Sequence, residues 1–199
     1  MATLTTWPLI RAVLVGILPL QVWCICGPKV TDTFDDLAKD TTPSAYHGLS
    51  YSSAFWVRPG NFSFYDQPGT FAVSPPNVLF MSAMAGDPRF GDEPSGTIAV
   101  MNGYAYFNEL YYGCIDLSGA VACNISVTGY DADGVPVPEV ILPYLPIAST
   151  TLSLAVTWPA KGPPIKYANA TIRVVESADA AWVTGMLLDS LSHVNCVGE

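Results

Sequence analysis

Beyond residue 30 no window of the chain sustains a three-to-four-residue apolar period over helical length; the hydrophobic signal is that of strands. Seven stretches carry it: Thr97–Met101, Tyr104–Ile115, Ala122–Gly129, Val135–Leu142, Leu152–Trp158, Thr171–Glu176 and Val183–Leu188. Each is rich in β-branched or aromatic residues and bounded by Gly, Pro, Asn or Asp. Ile125, Val127 and Gly129 alternate with Asn124, Ser126 and Thr128, which predicts a strand with one buried and one wet face. Leu152, Leu154, Val156 and Trp158 alternate in the same way with Thr151, Ser153, Ala155 and Thr157. Asp131-Ala132-Asp133-Gly134 predicts a hairpin turn, with Gly134 free to take positive φ. Ser177–Trp182 has room for one helical turn, and Pro59–Pro94, dense in Pro, Gly and aromatics, reads as long loops over a rim or face. Strands at this spacing predict an all-β, two-sheet sandwich rather than βαβ units.

The N-terminus has a different pattern. Arg11 precedes an apolar run from Ala12 to Ile25, broken only by Gly16, Pro19 and Gln21. A positive charge, a short apolar stretch and small residues predict a secretory signal peptide. A membrane span needs about 20 apolar residues, so an uncleaved anchor is the weaker alternative and no stable membrane insertion is expected. The expected organisation is a leader over residues 1–24 and a single β-sandwich domain over 25–199, secreted or in the secretory pathway. Three sequons agree with export: Asn61-Phe62-Ser63, Asn124-Ile125-Ser126 and Asn169-Ala170-Thr171.

Composition narrows the partners. With 17 Pro and 16 Gly in 199 residues, a helical bundle is excluded. Eight Lys and Arg against 17 Asp and Glu leave a net charge of −9, the wrong sign for a phosphate backbone or an anionic membrane surface, so no nucleic acid partner is expected.

The five cysteines are Cys24, Cys26, Cys114, Cys123 and Cys196. Cleavage after Cys24 leaves an even four, which suits an oxidising compartment. Cys114 and Cys123 flank the short turn Ser118-Gly119-Ala120 and are expected to bridge neighbouring strands. Cys26 and Cys196 then tie one chain end to the other, a closure worth on the order of 4 kcal/mol in the chain-entropy account. No cysteine–histidine cluster has zinc-like spacing.

Catalytic motifs are missing. His47 and His193 are the only histidines, no Ser or Cys sits in a nucleophile elbow, and there is neither a dinucleotide fingerprint nor a phosphate-binding loop. Acidic residues are scattered, which argues against a glycosidase pair.

Three groups of segments taken together resemble a known family. They are Thr33-Phe34-Asp35-Asp36-Leu37 with Tyr46-His47-Gly48-Leu49 and Trp56-Val57; Phe107–Cys114 with Cys123-Asn124-Ile125 and Thr128-Gly129-Tyr130; and Leu187-Leu188-Asp189-Ser190-Leu191. The set resembles a family of secreted fungal proteins with an FDDL, Y-x-GL, GC, C-x-I-x-x-TGY and LLDD order, although Ser190 stands where a second acid is usual. The resemblance implies a jelly-roll sandwich of the galactose-binding or carbohydrate-binding-module kind. It further implies a structural Ca²⁺ held by Asp35 or Asp36 with Asp189, since Ca²⁺ takes six to eight oxygens. Solvated acidic turns are the alternative.

The family includes hetero-Diels–Alderases of tropolone–sesquiterpenoid pathways, so the resemblance implies a cyclase that needs no catalytic cofactor. Such a reaction requires two apolar partners held close, and a hydrogen bond to a carbonyl that gains charge. The aromatic-rich stretch places the expected ligand, an apolar small molecule, against Trp56, Tyr65 and Tyr51, with His47, Arg58 or Tyr46 as donor. Ordinary packing is the plain alternative for each. The competing functions are glycan binding, with rings stacked on sugar faces, and a structural or host-interacting role without a pocket.

Overall fold

The computed structural model describes residues 24–60, 72–82, 94–116, 119–146, 152–156, 165–177 and 185–197. Among them every regular element is a strand: β1 (Ile25–Cys26), β2 (Val30–Asp32), β3 (Ala45–Tyr46), β4 (Leu49–Tyr51), β5 (Phe55–Pro59), β6 (Asn77–Ser82), β7 (Ser95–Val100), β8 (Tyr104–Asp116), β9 (Gly119–Val121), β10 (Cys123–Tyr130), β11 (Val140–Tyr144), β12 (Ser153–Val156), β13 (Asn169–Ser177) and β14 (Gly185–Val197). They form two antiparallel sheets, the expected all-β sandwich. The larger runs β12-β8-β14-β6-β5, with β1 and β2 also paired to β14 and β9 to β8; the smaller runs β11-β10-β13-β7-β4-β3.

The core lies between the inner faces, with Phe55, Leu79, Leu110, Ile125, Ile172 and Met186 fully enclosed. Ile125 and Val127 point into it as their alternation requires, and Asn124 and Thr128 point away. Ser126 shares the outward phase yet is buried, because its hydroxyl donates to Glu139.

Four expectations change. Within Pro59–Pro94, read as loop, Asn77–Ser82 forms β6, between β14 and β5. Its residues are covered on both faces: Leu79 and Met81 join the core, while Val78 and Phe80 join a second apolar cluster on the outer side. Such a strand reads as a continuous apolar run rather than an alternation. The strand expected at Val135 begins at Val140, since Pro136 and Pro138 lack N–H donors and Pro136 makes only an isolated bridge to Tyr130. The last strand runs on from Leu188 to Val197, through His193. Four short strands, β2 to β5, precede the first strand expected from the pattern; at two to five residues they are too brief to show a period.

Both expected disulfides are present, Cys26–Cys196 and Cys114–Cys123. The second joins β8 to β10 and therefore staples the two sheets, rather than two strands of one sheet. At the Asp131–Gly134 turn Gly134 has φ of 76° and the Asp131 carboxylate accepts from the amides of Asp133 and Val135. Of the expected Ser177–Trp182 turn, Ser177 ends β13 and residues 178–182 lie outside the described residues, as do Trp158 and residues 1–23 of the expected leader.

The long strand β14 organises the larger sheet. Gly185–Leu188 pair with β6; beyond an irregularity between Asp189 and Ser192, the same edge pairs with β2 and then β1. First and last strands thus lie side by side. Residues 189 and 190 of β14, with Ser190 at φ of 48°, pair with neither β6 nor β2, and the two acids that are fully buried among the described residues, Asp32 and Asp189, flank this notch.

Candidate functional site

Asp32 ends β2, Phe34 follows beyond the strand with φ of 62°, and both are fully buried. A carboxylate there is costly unless it is partnered. Three rings supply the partners. His47 places Nδ1 2.7 Å from Asp32 Oδ1. The Tyr51 hydroxyl donates to Oδ2 at 2.6 Å. His193 on β14 brings Nε2 to 3.3 Å from Oδ2, off the line of a hydrogen bond. Asp32 and His193 belong to the larger sheet, His47 and Tyr51 to the smaller, so the cluster clasps the two sheets at one end of the core.

The backbone sets His47 apart. It occupies, with Gly48, the two-residue turn that joins β3 to β4, and both have positive φ, 47° and 84°. This is the twist a tight hairpin needs. Glycine at 48 is required twice over, since a Cβ there would lie 2.6 Å from Asn195 Nδ2. Histidine at positive φ is uncommon and is held only where surrounding contacts fix it. Here they do: Asn195 Nδ2 donates to the His47 carbonyl at 2.9 Å, and Asp32 holds the ring. Asn195 Oδ1 lies 3.2 Å from His193 Nδ1, so the two histidines are joined by a second route.

The His47 ring stacks on Tyr46 with centroids 4.0 Å apart, and its side chain remains 44% exposed while Asp32 has no exposure. The Tyr46 hydroxyl donates to Asp36. Burial, followed by that bond, pushes the Tyr46 phenol well above its ordinary value, and burial beside Asp32 does the same to Tyr51.

The acids expected to share calcium divide. Asp36 turns to Tyr46. Asp35 and Asp189 converge on Ser74: its hydroxyl donates to Asp35 Oδ2 at 2.7 Å and its amide to Asp189 Oδ2 at 2.8 Å. The Asn77 amide donates to Asp35 Oδ1, and Asn77 Nδ2 fills the point where the carbonyls of Phe34, Asp35 and Leu37 meet. Asn77 Oδ1 is buried without a partner among the described residues. Burial raises the Asp189 carboxyl, opposed by the amides of Ser74 and Val73.

The expected ligand wall divides as well. Phe55 and Val57 face the core, so Trp56 and Arg58 face outward from β5. Arg58 pairs with Asp40 and its guanidinium lies 5.9 Å above the Trp56 ring. The structure thus brings Tyr46, His47 and Tyr51 together and separates Trp56 and Arg58 from them; Tyr65 lies outside the described residues. Asp32 and His193, which complete the cluster, were not singled out from the sequence. The available signal was the two-residue spacing of Asp32 from the apolar Phe34, which a continuing strand would turn to one face.

No protein-family model matches the chain, and no curated protein matches it. Among solved structures, an arabinose-bound α-L-arabinofuranosidase is similar at 12% identity over 83% of this chain and 26% of that one, with a TM-score of 0.49. The chain thus spans about a quarter of that protein's length. The K1 cleaved adhesin domain of Lys-gingipain from Porphyromonas gingivalis W83 is similar at 13% identity over 84% and 98%, with a TM-score of 0.45. The C-terminal family 22 carbohydrate binding module of Clostridium thermocellum Xyn10B follows at 10% over 82% and 91%, with a TM-score of 0.40. Likeness at this level is silent about the site, and the resemblance to secreted fungal proteins rests on its motifs alone.

Proposed function

We propose that this protein is a carbohydrate-binding β-sandwich whose ligand seats on the rim made by the β3–β4 turn. The observation that carries the reading is the half-open ring of His47, stacked on Tyr46 and fixed from behind by the buried Asp32. A sugar is held by a flat ring against its apolar face and by polar groups fixed in place before it arrives. His47 offers the ring, and Asn195 and Asp36 border it with polar atoms. The two disulfides agree with an oxidising, extracellular or secretory compartment. The test is a glycan array on the purified protein, followed by calorimetric titration of the best ligand. His47→Asn, which tolerates positive φ, is expected to weaken binding at least tenfold. An array on which the wild-type protein retains no glycan overturns the reading.

A second reading, cofactor-free hetero-Diels–Alder cyclisation, draws support from the outer face of the larger sheet. There Val78, Phe80 and Leu187 are buried, and Trp56 Nε1 is enclosed without a partner among the described residues. Acceleration of a tropolone-derived quinone methide's addition to humulene, lost in Trp56→Ala, would replace glycan binding as the conclusion. The proposal includes calcium at Asp35 and Asp189, with Asn77 Oδ1 as a further oxygen. It also includes glycans at Asn124 and Asn169, which both project from the outer face of the smaller sheet; Asn61 lies outside the described residues. An endoglycosidase that leaves the protein's mobility unchanged rules the glycans out.

A further inference from the structure

We propose that His47 is a general base oriented by Asp32, and that the rim hydrolyses O-acyl esters by activating water. This activity goes beyond glycan binding and does not depend on it.

The inference starts from hydrogen-bond roles. An ionised carboxylate only accepts, so His47 Nδ1, 2.7 Å from Asp32 Oδ1, carries its hydrogen, and in the neutral ring Nε2 then holds the lone pair. The two nitrogens lie on opposite sides of the ring, so Nε2 points away from the buried acid, and it has no partner among the described residues. This division of labour, with one nitrogen held by a buried carboxylate and the other open, is what a general base requires. Here Asp32 has no exposure while His47 keeps 44%.

A second observation in the same cluster points the same way. His193 is fully buried, and its Nε2 lacks a hydrogen bond although it lies 3.3 Å from Asp32 Oδ2. Through Asn195 the same histidine fixes the His47 carbonyl at the strained turn. The fold thus spends a buried carboxylate, a second imidazole and a positive-φ residue on the orientation of one open ring. Strain and buried charge of this kind gather where geometry is used.

The step balances with water alone. Nε2 takes a proton from water as the water oxygen bonds to the acyl carbon. The tetrahedral adduct then breaks its bond to the alcohol oxygen, which takes the proton back from Nε2. Ester and water give acid and alcohol. Among the described residues no serine or cysteine bonds the ring, so water, rather than a side chain, is the attacking group. Asp32 touches no reacting atom; it is a positioning residue.

The test is hydrolysis of p-nitrophenyl acetate, which carries no sugar, by the full chain, with imidazole nitrogen NMR alongside. The wild-type protein is expected to exceed His47→Gln at least tenfold in kcat/KM, in line with general-base steps of about 10²–10⁴. Asp32→Asn is expected to lower kcat with little change in KM. The spectra are expected to show the neutral His47 ring with its hydrogen on Nδ1 in the wild-type protein, and a mixture in Asp32→Asn. Equal rates for wild-type and His47→Gln, or a wild-type ring with its hydrogen on Nε2, overturn the proposal. Since the NMR readout needs only folded wild-type protein, a variant that fails to fold leaves the test intact. Glycan retention without esterolysis removes this proposal alone; esterolysis without glycan retention removes the binding reading alone.

Discussion

Asp32 and Asp189 are both without exposure, and both lie at the notch where β14 changes partner, yet their surroundings differ in kind. Asp32 is held by the side chains of His47 and Tyr51, one of which reaches the surface. Asp189 is held by the amides of Ser74, Val73 and Ser190 and the hydroxyl of Ser190, and nothing in that set moves a proton to solvent. Burial alone therefore does not mark a working acid. The partners do: titratable rings make a relay, while backbone amides make a clamp.

The largest stability effect is expected at the clamp. Asp189→Ala leaves the Ser74 amide and the Ser190 hydroxyl without that acceptor and breaks the Asp189 half of the link through Ser74 to Asp35, at a cost of about 2–3 kcal/mol in denaturant unfolding. Burial raises the Asp189 carboxyl in the folded protein above its ordinary 3.8. The folded state then holds its proton more tightly than the unfolded state, so this contribution is full below 3.8 and is lost as pH rises through the folded value. The gap between wild-type and Asp189→Ala should narrow from acid to neutral pH. A gap that widens breaks the comparison.

At the relay, Tyr51→Phe removes one donor from Asp32 and is expected to cost about 1–2 kcal/mol. The Tyr51 phenol is held above its ordinary 10.0, chiefly by burial, so its contribution is present below pH 10.0 and lost as pH rises beyond it. Denaturant midpoints of wild-type and Tyr51→Phe should converge in strong alkali. The proposed calcium sharpens the contrast, since the residues that would hold it belong only to the clamp. Excess chelator should lower the melting temperature of the wild-type protein by a few degrees and leave Asp189→Ala unmoved; an unchanged wild-type curve excludes the ion. The smallest stability effect is expected from His47→Asn, about 1 kcal/mol, because the bond to Asp32 is lost while the position is open to water and asparagine accepts the turn's backbone. A loss above 2 kcal/mol would make His47 part of the clasp rather than its working face.

The sequence showed some of this and concealed the rest for physical reasons. Cysteine pairing was legible because Cys114 and Cys123 flank a short turn and Cys26 and Cys196 stand near opposite ends of the chain. The Asp131–Gly134 turn was legible because the chemistry of such turns is local. Strand β6 was hidden because a strand covered on both faces has no alternation. Trp56 and Arg58 lie within a dozen residues of His47, but β5 runs in the other sheet and turns them to its outer side. Asp32 was overlooked beside the conspicuous Asp35-Asp36 pair; sequence proximity drew attention to the turn, while the end of β2 carried the site.

The bond between Cys26 and Cys196 has a consequence of another sort. It turns the chain from β1 to β14 into a covalent ring. One protease cut anywhere between those residues opens the ring without dividing it, and a strand severed from its neighbour in sequence stays tethered to its neighbour in the sheet. Nicked protein should therefore run as a single species until it is reduced, and the rim beside Asn195 should keep its architecture after cuts that would release a fragment from an unclosed chain.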